Sequence, residues 1–129
     1  MTIADTDVLI DFLGGQKPGA GAVAAALSTG QLHTTAVSSF ELLSGARLPR
    51  ERRAVESLLD SVPVLPLDRE AAARAAAVRQ ELDRSGVGIG MADSLIAGIA
   101  LVQGASLLTR NRRHFERING LALPNIDAP

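Results

Sequence analysis

The stretch TIADTDVLIDFLGG, residues Thr2–Gly15, decides the class of fold. Its first residues, Thr2–Asp5, have the length and composition of a short strand that ends on a carboxylate. The apolar residues that follow recur at helical spacing, namely Val8, Leu9, Phe12 and Leu13. Because the Gly-Gly pair behind them favours a helix end, the stretch predicts a strand, an aspartate and a helix in immediate succession.

The same alternation of strand and helix continues along the chain. Further short strands are predicted at Leu32–Thr35, within Val62–Leu67, at Ser106–Thr109 and at Leu121–Pro124. Helices are predicted between them, at residues 18–30, 36–46, 49–60, 68–85 and 90–102. This pattern is typical of an α/β protein with helices on both faces of a mostly parallel sheet of roughly four to five short strands. We expect a single domain over residues 1–129.

Composition excludes several classes of function. The chain has no cysteine and a formal net charge of −1. It therefore has no disulfide, thiolate metal site or cysteine nucleophile, and it has no overall basic field for nucleic acid. The N-terminus lacks a signal-peptide pattern, and no apolar run reaches the roughly 18–20 residues of a membrane span. We expect a soluble protein of the cytoplasm that does not bind a membrane.

Three carboxylates lie next to the predicted strand ends. Asp5 ends the first strand, and Glu41 lies early in the helix after the second. Asp93 lies in the first turn of the apolar helix GMADSLIAGIALV, and a polar segment, Thr109–Asn111, follows a later strand. Ligands of open parallel sheets collect at the carboxyl ends of the strands, and clustered carboxylates are stable together mainly when a cation neutralises them. We expect the three acids to converge on one pocket that binds a hard divalent cation such as Mg²⁺.

Each carboxylate also has a purely structural interpretation. Asp5 can cap the helix that follows it, and Asp93 can be a helix-start carboxylate favoured by the helix dipole. Glu41 can be a solvated residue, although its neighbours Phe40 and Leu42 leave little polar surface around it. The joint placement of the three acids after successive strands favours the cation site over three separate structural roles.

Segments of the chain resemble, in order, the four motifs of PIN domains of the VapC toxin type. They are ADTDVLIDFL, VSSFELLSGA and the continuous stretch GMADSLIAGIALVQGASLLTRNRRHFERINGL, which carries the third and fourth motifs. The resemblance implies a PIN-like three-layer α/β/α sandwich and a toxin of a type II toxin–antitoxin system. It also implies a metal-dependent endoribonuclease, in which water activated by Mg²⁺ or Mn²⁺ hydrolyses RNA phosphodiester bonds. Asp5, Glu41 and Asp93 match the acids that hold the metal, and Asn111 matches a further catalytic position in the T-x-[DN] segment.

The fourth motif departs from the usual pattern at one position. Relatives often carry an acidic residue just before the phenylalanine, whereas this chain has His114 before Phe115. We interpret His114 as a surface histidine, with a metal ligand or a phosphate contact as the alternatives. Because a fourth carboxylate is missing here, the metal affinity and the number of metals are open.

RNA contact is assigned to side chains close to the acids. They are Thr6, Arg110, Arg112 and Arg113, and Arg117 belongs to the same cluster of arginines. Arginine binds backbone phosphates well, and these arginines adjoin the fourth motif. A second group of arginines, within residues 47–53, is interpreted as solvated helix surface.

Two helices, at residues 6–13 and 49–60, carry more large apolar side chains than one inner face of a small domain needs. These side chains are Leu9, Phe12, Leu13, Val55, Leu58 and Leu59. We expect them to form a hydrophobic groove or a dimer face, with a role in the core alone as the alternative. The resemblance implies a homodimer in which a small cognate antitoxin covers each protomer. A basic side chain of the antitoxin could then reach the acidic pocket and displace the metal.

Other classes of protein also begin with a strand and an acidic pair such as Asp5 and Asp7. A haloacid-dehalogenase-type phosphatase and a receiver domain both need a lysine late in the chain, and the only lysine is Lys17. Both interpretations are therefore poor. A non-catalytic PIN module, which binds a partner protein or RNA without cutting, stays open because of the missing fourth acid. Metal-dependent RNA cleavage that is lost in EDTA would distinguish the enzyme from this module.

Overall fold

A parallel sheet forms the centre of the molecule. The computed structural model describes residues 1–127, so the last two residues of the predicted domain, 128–129, lie outside the described residues. Within residues 1–127 the sheet has four strands: β1 (Thr2–Ala4), β2 (Leu32–Thr35), β3 (Val64–Leu65) and β4 (Ser106–Leu108). Their order is β3-β2-β1-β4, and each neighbouring pair is parallel. The predicted α/β class and parallel sheet are confirmed.

Seven helices flank these strands in the described residues. They are α1 (Thr6–Gly14), α2 (Gly19–Ser28), α3 (Ala36–Gly45), α4 (Pro49–Ser61), α5 (Arg69–Arg84), α6 (Met91–Gln103) and α7 (Arg112–Phe115). The caps after α1 and α6, Gly15 and Gly104, have φ of 65° and 62°, which glycine adopts without a steric penalty. None of the helices in residues 1–127 is long and apolar enough to cross a membrane.

Successive residues of the two central strands face opposite layers of helices. Ile3 and Leu107 lie in a core shared with α5 and α6, where they join residues such as Ile96. Their neighbours Ala4 and Leu108 lie in a second core, which they share with α1, α2, α3 and α4. This alternation follows from the two-residue period of a strand. The sheet is therefore the middle layer of an α/β/α sandwich, as the resemblance implied.

Close packing of α6 on α5 fixes the helix that carries Asp93. A Cβ on Gly98 would lie 2.6 Å from the carbonyl oxygen of Ala71 and 2.7 Å from Cβ of Ala75. Such distances are below van der Waals contact, so only glycine lets the two helices approach this closely. The core thus sets the position of α6, and with it the position of Asp93 in its first turn.

The predicted final strand at Leu121–Pro124 is wrong. This segment has no regular secondary structure, although Leu107 N donates a backbone hydrogen bond of 2.9 Å to Ala122 O. Pro124 has no N–H to offer a neighbouring strand, and its carbonyl oxygen accepts a hydrogen bond from an arginine side chain instead. The segment therefore lies along β4 without extending the sheet.

The apolar side chains expected to form a groove or dimer face belong mainly to the core. Five of the six are buried or half-buried beside α1–α4: Leu9, Phe12, Val55, Leu58 and Leu59. With so few aromatic residues, the core on this side needs these large aliphatic side chains to fill it. Leu13 stays 37% exposed and Ile10 is 54% exposed, so the outer surface of α1 keeps a smaller apolar area than predicted.

Candidate active site

The strand order brings the first and fourth motifs together. β1 and β4 are neighbours, so Asp5 and Thr109, which directly follow them, lie side by side at the carboxyl end of the sheet. The Thr109 hydroxyl donates to Asp5 Oδ2 at 2.7 Å, and the Thr6 N–H donates to Asp5 Oδ1 at 2.8 Å. Asp5 is 4% exposed and Thr109 is 1% exposed. The connections from β1 to β2 and β3 run towards one edge of the sheet on one face, whereas the connection from β3 returns on the other face to β4, on the far side of β1. The carboxyl ends of β1 and β4 therefore form a switch point, where α/β proteins bind ligands.

Burial raises the pKa of Asp5 to about 6. The negative charges of Asp7 and Asp93 contribute to this net increase, whereas the hydrogen bonds from Thr109 and Thr6 oppose it. The effect of Asp93 shows that the first and third predicted acids lie close enough for their charges to interact. A carboxylate that is buried among other carboxylates is a group that a cation would stabilise.

Glu41 is joined to this pair through Thr6. The Thr6 hydroxyl donates to Glu41 Oε1 at 2.6 Å and lies 2.9 Å from Ser38 Oγ. Ser38 is fully buried, and its N–H donates to Thr35 Oγ1 at 3.1 Å, which caps the start of α3. A hydroxyl of α1 thus holds the half-buried carboxylate of α3 beside the end of β1. Thr6, predicted as a substrate contact, serves here to orient an acid.

Asp93 is paired with the histidine that departs from the family pattern. Nδ1 of His114 lies 2.7 Å from Asp93 Oδ2. An ionised carboxylate can only accept a hydrogen bond, so Nδ1 carries the proton. The His114 side chain is 57% exposed, so it lies at the surface as we interpreted it from the sequence, but it is also bonded to an acid. It holds one oxygen of the third acid.

Arg110 and Asn111 are fixed by their backbone. The Asn111 N–H donates to Thr109 Oγ1 at 3.0 Å, and the Arg110 N–H donates to Asp7 Oδ2 at 3.0 Å. Arg110 Nε also lies 3.3 Å from Oδ2 of the buried Asp11. Burial raises the pKa of Asp7, and its Oδ1 is buried without a hydrogen-bond partner among residues 1–127. The loop after β4 is therefore tied to α1.

Asp11 was not identified from the sequence as a residue that supports the site, although the sequence contains an indication of this role. Asp7 and Asp11 are four residues apart on α1 and share one face with apolar neighbours, which is an unusual place for two acids. Asp11 also accepts a hydrogen bond of 3.0 Å from Gly19 N, where a Cβ would lie 2.6 Å from Asp11 Oδ2. It links α1, α2 and Arg110.

The arginines predicted to contact RNA have two different environments. Arg112 Nη1 donates to the carbonyl oxygens of Leu123 and Pro124, at 3.0 Å and 2.9 Å, so this side chain fastens the C-terminal segment. Arg113, in contrast, lines an open cleft together with Arg110. Adjacent arginines of the same segment therefore have different contacts.

Asp5, Glu41 and Asp93 suit a hard cation by their chemistry, because all three offer carboxylate oxygens and the chain has no thiolate. The pKa of Asp5 is raised first by burial and then by the neighbouring charges of Asp7 and Asp93, and a bound cation would oppose both effects. As the side chains lie, no group of three or more His, Asp or Glu residues within residues 1–127 is close enough to hold a metal ion. The donor set fits, and the side chains would have to draw together on binding.

Comparison with known proteins agrees with this geometry. Residues 2–121 match the PIN domain family. Ribonuclease VapC10 of Mycobacterium tuberculosis is 38% identical over 124 residues, which cover 96% of this chain and 92% of that protein. The tRNA(fMet)-specific endonuclease VapC of Shigella flexneri is 35% identical over 121 residues, which cover 91% of each chain. In the solved structure of DNA-bound VapBC from Salmonella typhimurium, a chain 28% identical superimposes with a TM-score of 0.85 and 97% coverage of both chains.

The chain therefore belongs to the PIN domain family, in the branch that contains the VapC ribonucleases. Nucleases of this family generally use divalent metal ions.

Proposed function

We propose that this chain is the toxin of a type II toxin–antitoxin pair and that it cleaves RNA with Mg²⁺ held by Asp5, Glu41 and Asp93. Mn²⁺ has the same preference for oxygen ligands and is expected to replace Mg²⁺. The observation that carries the proposal is the hydrogen-bonded pair of Asp5 and Thr109 at the switch point of the sheet, within reach of the Asp93 charge. We place this activity in the cytoplasm and assign it to residues 1–129 as one PIN domain.

Each residue of the site has a distinct role in this proposal. When bound, a divalent cation supplies a Lewis-acidic centre that neutralises charge on a phosphodiester and makes water more acidic. Thr109 and the Thr6 N–H hold the two oxygens of Asp5, and the Thr6 hydroxyl holds one oxygen of Glu41. The Asn111 amide can orient the attacking water, since the backbone of Asn111 is fixed to Thr109.

A cleavage assay with the purified protein tests the proposed activity. We expect endonucleolytic cleavage of RNA in Mg²⁺, loss of cleavage in EDTA and recovery on addition of Mg²⁺ or Mn²⁺. A protein that binds RNA but does not cut it with either metal would instead be the non-catalytic module. Cleavage that persists in EDTA would contradict a role of the acids as metal ligands in the reaction.

A small antitoxin and a second copy of the chain are the proposed protein partners. A groove of about 390 Å³ between α1, α3 and α4 is lined by apolar residues such as Ile10 and Leu13 and reaches Glu41. An antitoxin segment in this groove could place a basic side chain beside the acids. We expect the protein encoded next to this chain to co-purify with it and to inhibit cleavage, and Ile10→Glu to weaken that complex. Sedimentation of the isolated chain as a strict monomer would contradict the homodimer.

A further inference from the structure

A cleft beside the acids is lined by positive charge. It has a volume of about 620 Å³ and lies between the loop Gly86–Gly88 and the segment that contains α7. That segment contributes Arg110, Arg113 and Arg117 and one acid, Glu116, to the lining, and Arg110 is also paired with Asp7 and Asp11 of α1. The whole chain has a formal net charge of −1, so this concentration of arginine is local. We call it the arginine cleft.

The arginine cleft adjoins the proposed metal site. His114 lines the cleft, and its Nδ1 is bonded to Asp93 Oδ2 at 2.7 Å. Asn111 also lines the cleft, and its N–H is bonded to Thr109 beside Asp5. A strand of nucleic acid whose phosphodiester lies at the acids would therefore continue directly between the walls of the cleft.

Both walls of the arginine cleft are anchored. Nε of Arg110 lies 3.3 Å from Asp11 Oδ2, which holds the guanidinium in place, and the side chain is 45% exposed. On the opposite wall, Val87 N donates to Leu82 O at 2.9 Å, and the adjacent Ile89 is buried. Anchored arginines lose less conformational entropy when they bind phosphate.

We propose that the arginine cleft is a subsite for the RNA backbone, in which Arg110, Arg113 and Arg117 contact phosphates next to the bond that is cut. The inference rests on the proposed function and assigns the direction in which the RNA leaves the acids. Arg112 has no part in it, because it is bonded to the C-terminal segment. Glycines at the opposite wall leave room for the backbone to lie close to the protein.

The first test measures RNA binding in EDTA, where cleavage is absent. A fluorescent single-stranded RNA is titrated with wild type, the Arg113→Gln/Arg117→Gln variant and Arg53→Gln, which removes an exposed arginine of α4. For two lost phosphate contacts we expect the slope of log affinity against log salt to flatten by about 1.4, which is about 25-fold weaker binding at about 0.1 M salt. Arg53→Gln should bind as wild type. An unchanged slope in the double variant would overturn the inference.

The second test changes only the charge of the opposite wall. A Cβ on Gly88 meets no atom within 4 Å, so Gly88→Asp and Gly88→Asn should both fold normally. Gly88→Asp should bind RNA several-fold more weakly than Gly88→Asn, because a carboxylate would repel phosphate and the amide would not. Equal affinities of the two variants would also overturn the assignment.

A third arm uses single-stranded DNA of the same sequence. The Arg113→Gln/Arg117→Gln variant should lose affinity for DNA and RNA alike, since phosphates are common to both. A loss confined to RNA would contradict phosphate contacts. These tests also distinguish failure of the proposed function from failure of the subsite. Wild type that binds RNA in the cleft but never cuts it with Mg²⁺ or Mn²⁺ would refute only the nuclease activity. A double variant that binds and cuts RNA as wild type does would refute only the RNA subsite.

Discussion

Asp5 and Asp93 are held by different kinds of contact, although both are proposed ligands of the same metal site. Asp5 is buried, and both of its oxygens accept hydrogen bonds from groups next to the central strands. Asp93 is half-buried, and one of its oxygens is bonded to the exposed side chain of His114 on the short helix α7. Where water is excluded, the protein must itself supply every partner of a carboxylate. Changes at Asp5 should therefore affect stability and its pH dependence, whereas changes at Asp93 should affect mainly metal binding.

The largest effect expected is one that the two acids share. Asp5→Asn and Asp93→Asn should each lower Mg²⁺-dependent RNA cleavage by at least about 100-fold, because an amide lacks the charge that holds the metal and stabilises the transition state. Initial cleavage rates measure this, with Asp60→Asn on the exposed surface of α4 as the control that should stay active. Undiminished cleavage by either site variant would remove that acid from the proposed metal site.

The second effect separates the acids by their influence on stability. The pKa of Asp5 rises from its ordinary value of 3.8, which applies to the unfolded chain, to about 6 in the folded protein. The folded protein therefore binds this proton more tightly than the unfolded chain does. Ionising Asp5 therefore costs stability as the pH rises from about 4 to about 6, and the cost reaches about 3 kcal/mol at pH 7. Without metal, Asp5→Asn should be more stable than wild type at pH 7 and equally stable at about pH 4.

Denaturant unfolding in EDTA at the two pH values measures this difference. Asp93→Asn should give a smaller gain at pH 7, because its charge is a lesser cause of the raised pKa of Asp5 than burial. An Asp5→Asn variant that gains nothing between the two pH values would show that Asp5 is not the buried, repelled carboxylate described above.

Thr109 gives the third effect and tests the hydrogen bonds of the buried acid. Thr109→Val removes the hydroxyl that donates to Asp5 and accepts from Asn111, with little change of shape. The free energy of unfolding at pH 7 should fall by about 1–3 kcal/mol, since a buried carboxylate loses a donor. Thr109→Ser keeps the hydroxyl and should lose clearly less. If the valine and serine variants were equally stable, the hydroxyl would have no part in holding Asp5.

The smallest effect is expected at the exposed partner. His114→Ala should weaken Mn²⁺ binding about tenfold, because groups that orient a metal-binding carboxylate typically have effects of this size. His114→Asn can place an N–H near the position of Nδ1 and should keep most of the affinity. Calorimetric titration of the metal-free protein measures both, with unfolding free energies expected within about 0.5 kcal/mol of wild type. Tighter metal binding by His114→Ala would mean that His114 competes with the metal.

Sequence patterns predicted the parts of the site that follow directly from the order of elements. Asp5 and the Thr109–Asn111 segment were found because each follows a strand, and parallel strands end at one edge of a sheet. Glu41 was found because a glutamate between apolar neighbours needs a partner. The three-layer architecture follows in the same way from the alternation of strands and helices.

Contacts between side chains far apart in sequence could not be predicted. His114 and Asp93 are 21 residues apart, and nothing in the local pattern of either indicates the other. Likewise, Arg112 and Arg113 are neighbours of the same type, yet one fastens the C-terminal segment and the other lines the arginine cleft. Which way each side chain points depends on how α7 docks on α6, and this is a property of the tertiary structure.

The hydrogen bond between Thr109 and Asp5 joins residues 104 positions apart, and this distance has a consequence for synthesis of the chain. β4 is the last strand of the sheet in the described residues, and it pairs with β1, the first. A growing chain on the ribosome therefore carries Asp5 through the synthesis of the next 104 residues without the strand that completes its surroundings. Long-range pairing of this kind forms late, because closing the loop costs entropy before any contact compensates. Nascent chains that end before residue 109 lack the completed site, so activity arises only after Thr109 has been added.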